Sequence, residues 1–328
     1  PTAKLDPGHY TISIRAVGYD LDSPSAVDIS AQNPATADIK LRKTSNLAKQ
    51  MTNAEWIESV PGTMEQKIFL RNCVTCHTLL RPIQSTHDVD EFVQVQIRMA
   101  SQVNQSTPMV PQKRLADRLA VQLEHHGEDQ LTRQKDLLEK QAQFLSSINL
   151  SAGPEWEYPL KTFPRPTGRA THAIITEYDL PKRTRQPHDV ILDSDGMVWY
   201  ISFGEQILGK LDPKTGKTTE FPVPVLKPGS PTGELALRSD QDGNLWIGMM
   251  YQGGVAKFDR KTEKFQTWSL PPDENKDYTQ INQVDAMHSK VDGKVWVQDA
   301  GTYTLRQLDP VSGKFRFFKP YPDPSPNI

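Results

Sequence analysis

Only two cysteines occur in the 328 residues of this chain, and they stand three positions apart, at 73 and 76. So sparse a supply excludes a disulfide framework and a zinc centre built from four thiolates. No apolar run approaches the ~20 residues that a membrane-spanning helix needs. Neither sign of charge prevails, since 38 Lys and Arg face 40 Asp and Glu. That balance leaves no basic stripe for nucleic acid and no polybasic segment for an anionic membrane surface. An initiator Met is missing too: the chain opens on Pro1 without a visible signal peptide, which we read as a processed or truncated piece of a longer protein. What the sequence has in quantity is turn formers. Its 26 prolines and repeated Asp-Gly pairs suit a β-rich protein with many tight connections, and its length allows two or three domains.

Both cysteines belong to one motif, Cys73-Val74-Thr75-Cys76-His77. Two thiols at this spacing can add to the two vinyl groups of a haem, and the histidine that follows is then placed to ligate the iron from below. A redox-active disulfide is the alternative, but that reading wants a βαβ context and the flanks here look helical. Zinc is a third; it needs about four ligands, and His87, His125 and His126 show no clean spacing for it. Covalent haem c, with Cys73 and Cys76 as its anchors and His77 as proximal ligand, is the favoured expectation.

Three segments follow from the patterning. In residues 1–44, Tyr10, Ile12 and Ile14 alternate with polar neighbours, and Val27 with Ile29 and Ile39 with Leu41 suggest two more strands. The run from Gly8 to Tyr19 resembles the closing strands of a carboxypeptidase-regulatory-like β-sandwich. Three strands alone leave an edge and a face uncovered, which argues for residues upstream. Residues 52–150 turn helical: Ile68 to Leu70 lead into the Cys motif, Phe92, Val95, Met99 and Val103 are spaced for a helix from Val89 to Val103, and Leu137 to Ile148 form another. With Phe69 four residues before Cys73 and Phe144 on the last helix, the segment resembles a small class I cytochrome c, in which these two aromatics are expected to touch. The charged stretch from Gln112 to Lys140, with His125 and His126, reads as a solvated helical insertion. A Pro-rich linker spans 151–170.

From about residue 171 to 328 the chain repeats. Asp195-Gly196-x-x-Trp199 recurs at Asp242, Gly243 and Trp246, and again at Asp292, Gly293 and Trp296, while Asp212, Asp259 and Asp309 each follow their tryptophan by 13 residues. The tryptophans lie 47 and 50 residues apart, a period that means propeller blades of four short strands. About three blades are visible, with a strand from Ile174 to Tyr178 assigned to ring closure. These turns, with Lys210-Leu211-Asp212-Pro213 leading to Thr215-Gly216-Lys217, resemble the virginiamycin B lyase (streptogramin lyase) family, which implies a seven-bladed ring. The fold class expected is thus multidomain: a partial β-sandwich, a small all-α cytochrome c domain and an incomplete β-propeller.

The cytochrome resemblance implies a methionine as second axial ligand, with Met99 favoured and Met109 as the alternative. It also implies a carbonyl, that of Pro82, accepting the ring N–H of His77. On the propeller, His188, Glu234 and His288 stand near the starts of the innermost strands and could meet at the mouth of the channel, to bind a small molecule, bind a metal or move a proton. The lyase resemblance suggests Mg²⁺-assisted elimination, but its catalytic residues come mainly from later blades, so Mg²⁺ has no support in the residues present. The function expected is an exported, periplasmic c-type cytochrome that passes single electrons to or from a redox partner protein or dehydrogenase, its propeller docking that partner or a substrate. A metal-dependent lyase or hydrolase with accessory haem, and a non-catalytic binding scaffold, are the alternatives.

Overall fold

The computed structural model describes residues 6–14, 16–32, 35–74, 76–117, 121, 128–172 and 176–319. The chain divides into two compact units, one of Pro1–Phe92 with Gln141–His172, the other of Val93–Lys140 with Ala173–Ile328.

In the first unit, β1 (Gly8–Thr11) pairs antiparallel with β3 (Ala26–Ile29), and β2 (Tyr19–Ser23) with β4 (Lys40–Lys43). The alternation holds, with Tyr10, Ile12 and Ile14 half-buried and Thr11 and Ser13 exposed. Short helices follow: α1 (Asn53–Ser59), α2 (Met64–Lys67), α3 (Leu70–Cys73) and α4 (Leu80–Ile83). The first two begin on capping boxes, Thr52 with Glu55 and Thr63 with Gln66, each satisfying two backbone donors that the helix start would otherwise leave free. α5 (Val89–Ala100) begins in this unit and α6 (Glu128–Ile148) ends in it. Trp56, Leu70, Leu79, Ile83, Phe92 and Ile148 form its buried core, each aliphatic member contributing roughly 1.5–3 kcal/mol.

The stretch read as a linker is bonded into this unit. Lys161 N–H donates to Ser59 Oγ (2.7 Å), Phe163 N–H to Glu55 Oε1 (3.0 Å) and Tyr158 OH to Ile148 O (2.6 Å). The helix expected from Val89 to Val103 stops at Ala100, because Gln102 bridges to Lys113 and Val103 turns into a different cluster, that of Met250 and Tyr251. Residues 128–140 of the charged stretch are not a separate insertion but the first part of α6 itself, and residues 112–114 are bonded into the loop that follows α5. His125 and His126 lie outside the described residues, as does the start of the strand expected at Ile174–Tyr178, whose described residues carry no strand pairing.

The second unit contains three four-stranded antiparallel sheets. Each is a meander in chain order: β5 (Pro187–Leu192) to β8 (Thr218–Pro222), β9 (Ala236–Ser239) to β12 (Lys264–Ser269), and β13 (Ile281–Asp285) to β16 (Phe315–Phe318). The second strands, β6 (Val198–Ser202), β10 (Leu245–Gly248) and β14 (Val295–Asp299), carry the tryptophans, and β7 (Ile207–Leu211), β11 (Gly254–Asp259) and β15 (Thr304–Leu308) follow them. These are propeller blades. β6 and β10 are apolar along almost their whole length because sheets cover both faces. Trp199, Ile201 and Leu208 of the first blade pack with Leu245, Ile247 and Phe258 of the second. Trp246 and Trp268 of the second pack with Val284, Val295 and Leu308 of the third.

Each of the first two blades has a device that the repeat pattern concealed. The indole N–H of Trp199 donates to Asp193 (2.7 Å) and that of Trp246 to Asp240 (2.9 Å), residues two positions before the Asp-Gly pair. In the third blade that position is Lys290, the turn is replaced by the short helix α7 (Ser289–Asp292), and Trp296 is 36% exposed against 1% and 2% for Trp199 and Trp246.

Candidate functional site

The Cys motif begins at the C-terminal end of α3. Neither cysteine is in a disulfide, and both are half-buried. Burial pushes the Cys73 thiol up to about 11, with the neighbouring Cys76 adding to the rise and a backbone hydrogen bond opposing it. Thiol–disulfide exchange needs the reverse, a thiolate favoured by a helix N-terminus or a nearby cation. A neutral, desolvated thiol at a helix C-terminus therefore argues against the redox-disulfide alternative. Among the described residues no group of three or more His, Cys, Asp or Glu could hold a metal ion, so a zinc set has no further members there.

His77 is half-buried, and its Nδ1 lies 3.0 Å from the carbonyl oxygen of Thr78. A carbonyl only accepts, so Nδ1 donates to it and Nε2 is the ring atom left to meet a metal. Thr78, not Pro82, thus orients the ring here. Pro82 lies within α4, and its carbonyl accepts from Ser85 Oγ (2.7 Å) and Ser85 N–H (3.2 Å). The Phe69 and Phe144 rings meet edge to face, with centroids 5.9 Å apart and planes at 77°, the contact expected from the sequence. Two cysteines outside any disulfide, an imidazole whose Nδ1 is engaged by Thr78 O and this aromatic crossing fit a haem attached at Cys73 and Cys76.

The two methionines proposed as distal ligands belong to the second unit. Met99, in the last turn of α5, is 43% exposed, and Met109, at the tip of the following loop, is 61% exposed. Neither side chain is buried in a core.

On the propeller, the three proposed channel residues do not form a set. His188 stacks on Phe203 with centroids 5.0 Å apart, and its Nδ1 lies 3.3 Å from Asp189. His288 is exposed beside Asp285 at the start of α7. Glu234 is fully buried. The separation arises because His188 is the second residue of β5, Glu234 lies two residues before β9 and His288 lies three residues past the end of β13, so they do not occupy matching positions. What crosses the innermost strands instead is Arg238. It donates to Asp189 Oδ2 of the first blade (2.6 Å) and to Gln283 Oε1 of the third (3.2 Å), tying three blades together. Alongside lies a cleft of about 600 Å³ bordered by Val190, Leu237, Gln283, Asp285 and Trp296. Nothing in the repeat signalled this arginine, because its position in each blade holds a different residue type.

No protein-family model and no curated protein matches the chain. Solved structures similar to it include a streptogramin B lyase, at 20% identity over 45% of this chain and 44% of that one, with a TM-score of 0.36. The selenomethionine form of virginiamycin B lyase from Staphylococcus aureus is similar at 22% identity over 45% and 46%, also with a TM-score of 0.36. The extracellular domain of a hybrid two component system of B. thetaiotaomicron is similar at 26% identity over 40% of this chain and 16% of that one, with a TM-score of 0.32. The chain thus spans less than half the length of either lyase structure. The assignment of blades rests on the chain's own three sheets and their shared cores.

Proposed function

We propose that this chain is part of an exported c-type cytochrome that passes single electrons through one covalently attached haem, with a propeller that docks the redox partner or holds a substrate. The observation that carries this reading is the state of the Cys motif: two cysteines outside any disulfide, the first buried enough to raise its thiol, followed by an imidazole whose Nδ1 donates to Thr78 O. Cys73 and Cys76 would anchor the group, His77 Nε2 would ligate it, and Met99 or Met109 would supply the second axial atom. Haem, when bound, supplies a one-electron iron couple whose potential methionine ligation raises. The chain's own residues orient and bury: Thr78 O holds the imidazole plane, and the Phe69–Phe144 crossing ties α3 to the last helix beside the motif. Attachment of haem to such motifs normally takes place outside the cytoplasm, which supports export to the periplasm.

For the propeller, docking has more support than elimination chemistry. Its inner strands present an arginine already held by Asp189 and Gln283, beside a cleft with apolar walls, and not a His and Glu set. Producing the chain with a haem-attachment system and measuring its intact mass and pyridine haemochrome spectrum tests the reading. The expected mass exceeds the polypeptide by one haem, and Cys73→Ala with Cys76→Ala abolishes the increment. Loss of the methionine–iron charge-transfer band in Met99→Ala would assign the distal ligand, and its persistence would move the assignment to Met109. A wild-type mass equal to the bare polypeptide refutes the proposal.

A further inference from the structure

Residues 101–114 form a closed loop of their own. Arg114 N–H donates to Ser101 O (2.9 Å), Val103 N–H to Gln112 O (3.1 Å) and Gln112 N–H to Ser106 Oγ (2.8 Å). A loop whose ends and tip are bonded to each other in this way moves as one piece. It is docked on the end of the propeller made by the β6–β7 turn and the segment leading into β9. The Gln112 side chain donates to Gly204 O (2.9 Å) and Thr232 O (3.2 Å) and accepts from Thr232 N–H (2.7 Å). Gln105 adds a bond to Thr232 O (3.2 Å), and Arg114 one to Tyr251 OH (3.0 Å). Val103 is buried with Met250 and Tyr251, against Phe203 and Leu235.

Glu234 lies between Thr232 and Leu235, both held by this loop. It is 0% exposed, and among the described residues neither carboxylate oxygen makes a well-formed hydrogen bond. Gly233, at φ 123°, is pressed so close to the β6–β7 turn that a Cβ would stand 2.0 Å from Phe203 O, which fixes the segment in place. The charges around the carboxyl offer it little. Arg185, before β5, is already shared between Glu205 of the β6–β7 turn (2.5 Å) and Glu220 of β8 (2.7 Å). Tyr200 of β6 is bonded to Glu220, and Arg114 of the loop to Tyr251 and Asn104. Desolvation therefore pushes Glu234 well above the ordinary carboxylate range, and the Ile207 and Ser202 amides and the Arg185 charge only partly offset it.

We propose that the loop 101–114 is a strap that seals this end of the propeller over Glu234 while the carboxyl is neutral and lifts when it ionises. The closed form holds the proton more tightly than the open form. Closure is therefore complete below the ordinary carboxylate range and weakens as pH rises through the raised value of the closed form. The device stands independently of the haem reading, since every contact belongs to the second unit.

Amide hydrogen exchange of the full chain from pH 5 to pH 8, corrected for the intrinsic rate, tests it. Protection at Thr232, whose N–H donates to Gln112 Oε1 across the contact between strap and propeller, is expected to fall at least tenfold with rising pH. Glu234→Gln should stay protected across the range, whereas Gln112→Ala should lose protection at every pH. Should Glu234→Gln fail to fold, tryptic cleavage after Lys113 in the wild type, normalised to a free peptide of the same sequence, should rise tenfold over the same range. A pH-independent wild type by either measure, or a Glu234→Gln variant that keeps the wild-type pH dependence, overturns the strap.

Discussion

Replacing Asp240 by alanine should cost far more stability than replacing Asp242, although Asp242 belongs to the repeated Asp-Gly pair and Asp240 does not. Asp240 Oδ1 accepts from the N–H groups of Asp242 and Asn244, both at 2.9 Å, and Oδ2 from the Trp246 indole (2.9 Å) and the Asn244 side chain (3.0 Å). Bonds to a charged acceptor contribute about 1.5–3 kcal/mol each, and a buried donor left unpaired costs about 1–3 kcal/mol. The two backbone donors sit at a turn and regain water, so the indole dominates, and the net loss in Asp240→Ala is about 3–5 kcal/mol. The Asp242 side chain is 67% exposed and pairs only with Lys290 (2.8 Å), which caps its loss at about 1 kcal/mol. Urea unfolding followed by tryptophan fluorescence measures both. Equal losses in the two variants would refute the reasoning.

Acid provides an internal check on the same pair. Burial would raise the Asp240 carboxyl, but the Trp246 indole, the Asn244 side chain and the turn N–H groups together hold it below its usual value. Its contribution is therefore full above the unfolded carboxylate range and is lost as pH falls through the lowered folded value. The gap between wild type and Asp240→Ala should close in acid and be constant at neutral pH.

Gly209→Ala should destabilise the first blade by about 1–3 kcal/mol, since its new Cβ would stand 2.0 Å from the Tyr200 ring that lies over Gly209 across the β6–β7 pair; thermal unfolding is the check. Asp299→Ala should cost about 3–5 kcal/mol, because it strands the fully buried Arg306 guanidinium that Asp299 holds, and denaturant unfolding should show Arg306→Met to be the milder change.

The repeat made the blades legible because a four-stranded unit must return its Asp-Gly turns and its core tryptophan at a fixed period. All four strands expected in the first blade fall inside β5 to β8. The Cys motif stood out because it holds both cysteines of the chain, and the haem proposed there is what that spacing suggests. Contacts between residues distant in sequence left no such trace. Val103 matched the helical period of Phe92 and Met99, yet the bridge between Gln102 and Lys113 turns it toward Met250 and Tyr251, and periodicity carries no information about which core a side chain enters. Glu234 read as a channel residue because its place in the repeat was judged by counting. Counting does not reveal that Glu234 lies two residues before β9 begins and is fully buried there.

The asymmetry of the third blade becomes intelligible once the turns are compared across blades. Asp193, the indole acceptor of the first blade, also receives Arg260 Nη1 from the second blade at 2.6 Å, in a largely buried pair. Lys290 of the third blade stands where an indole acceptor would be, and it reaches back to Asp242 in the turn of the second blade at 2.8 Å. Each of these two turns is therefore clasped by a cation from the blade that follows. The third repeat loses its own acceptor for Trp296 and gains the clasp on its predecessor. One substitution in the repeat exchanges a bond within a blade for one between blades. The exchange is uneven: a buried indole partner is worth more than an exposed ion pair, and Trp296 is correspondingly the least enclosed of the three repeat tryptophans. A turn that looks degenerate in the sequence thus has a position and a partner, and both follow from which blade it must hold.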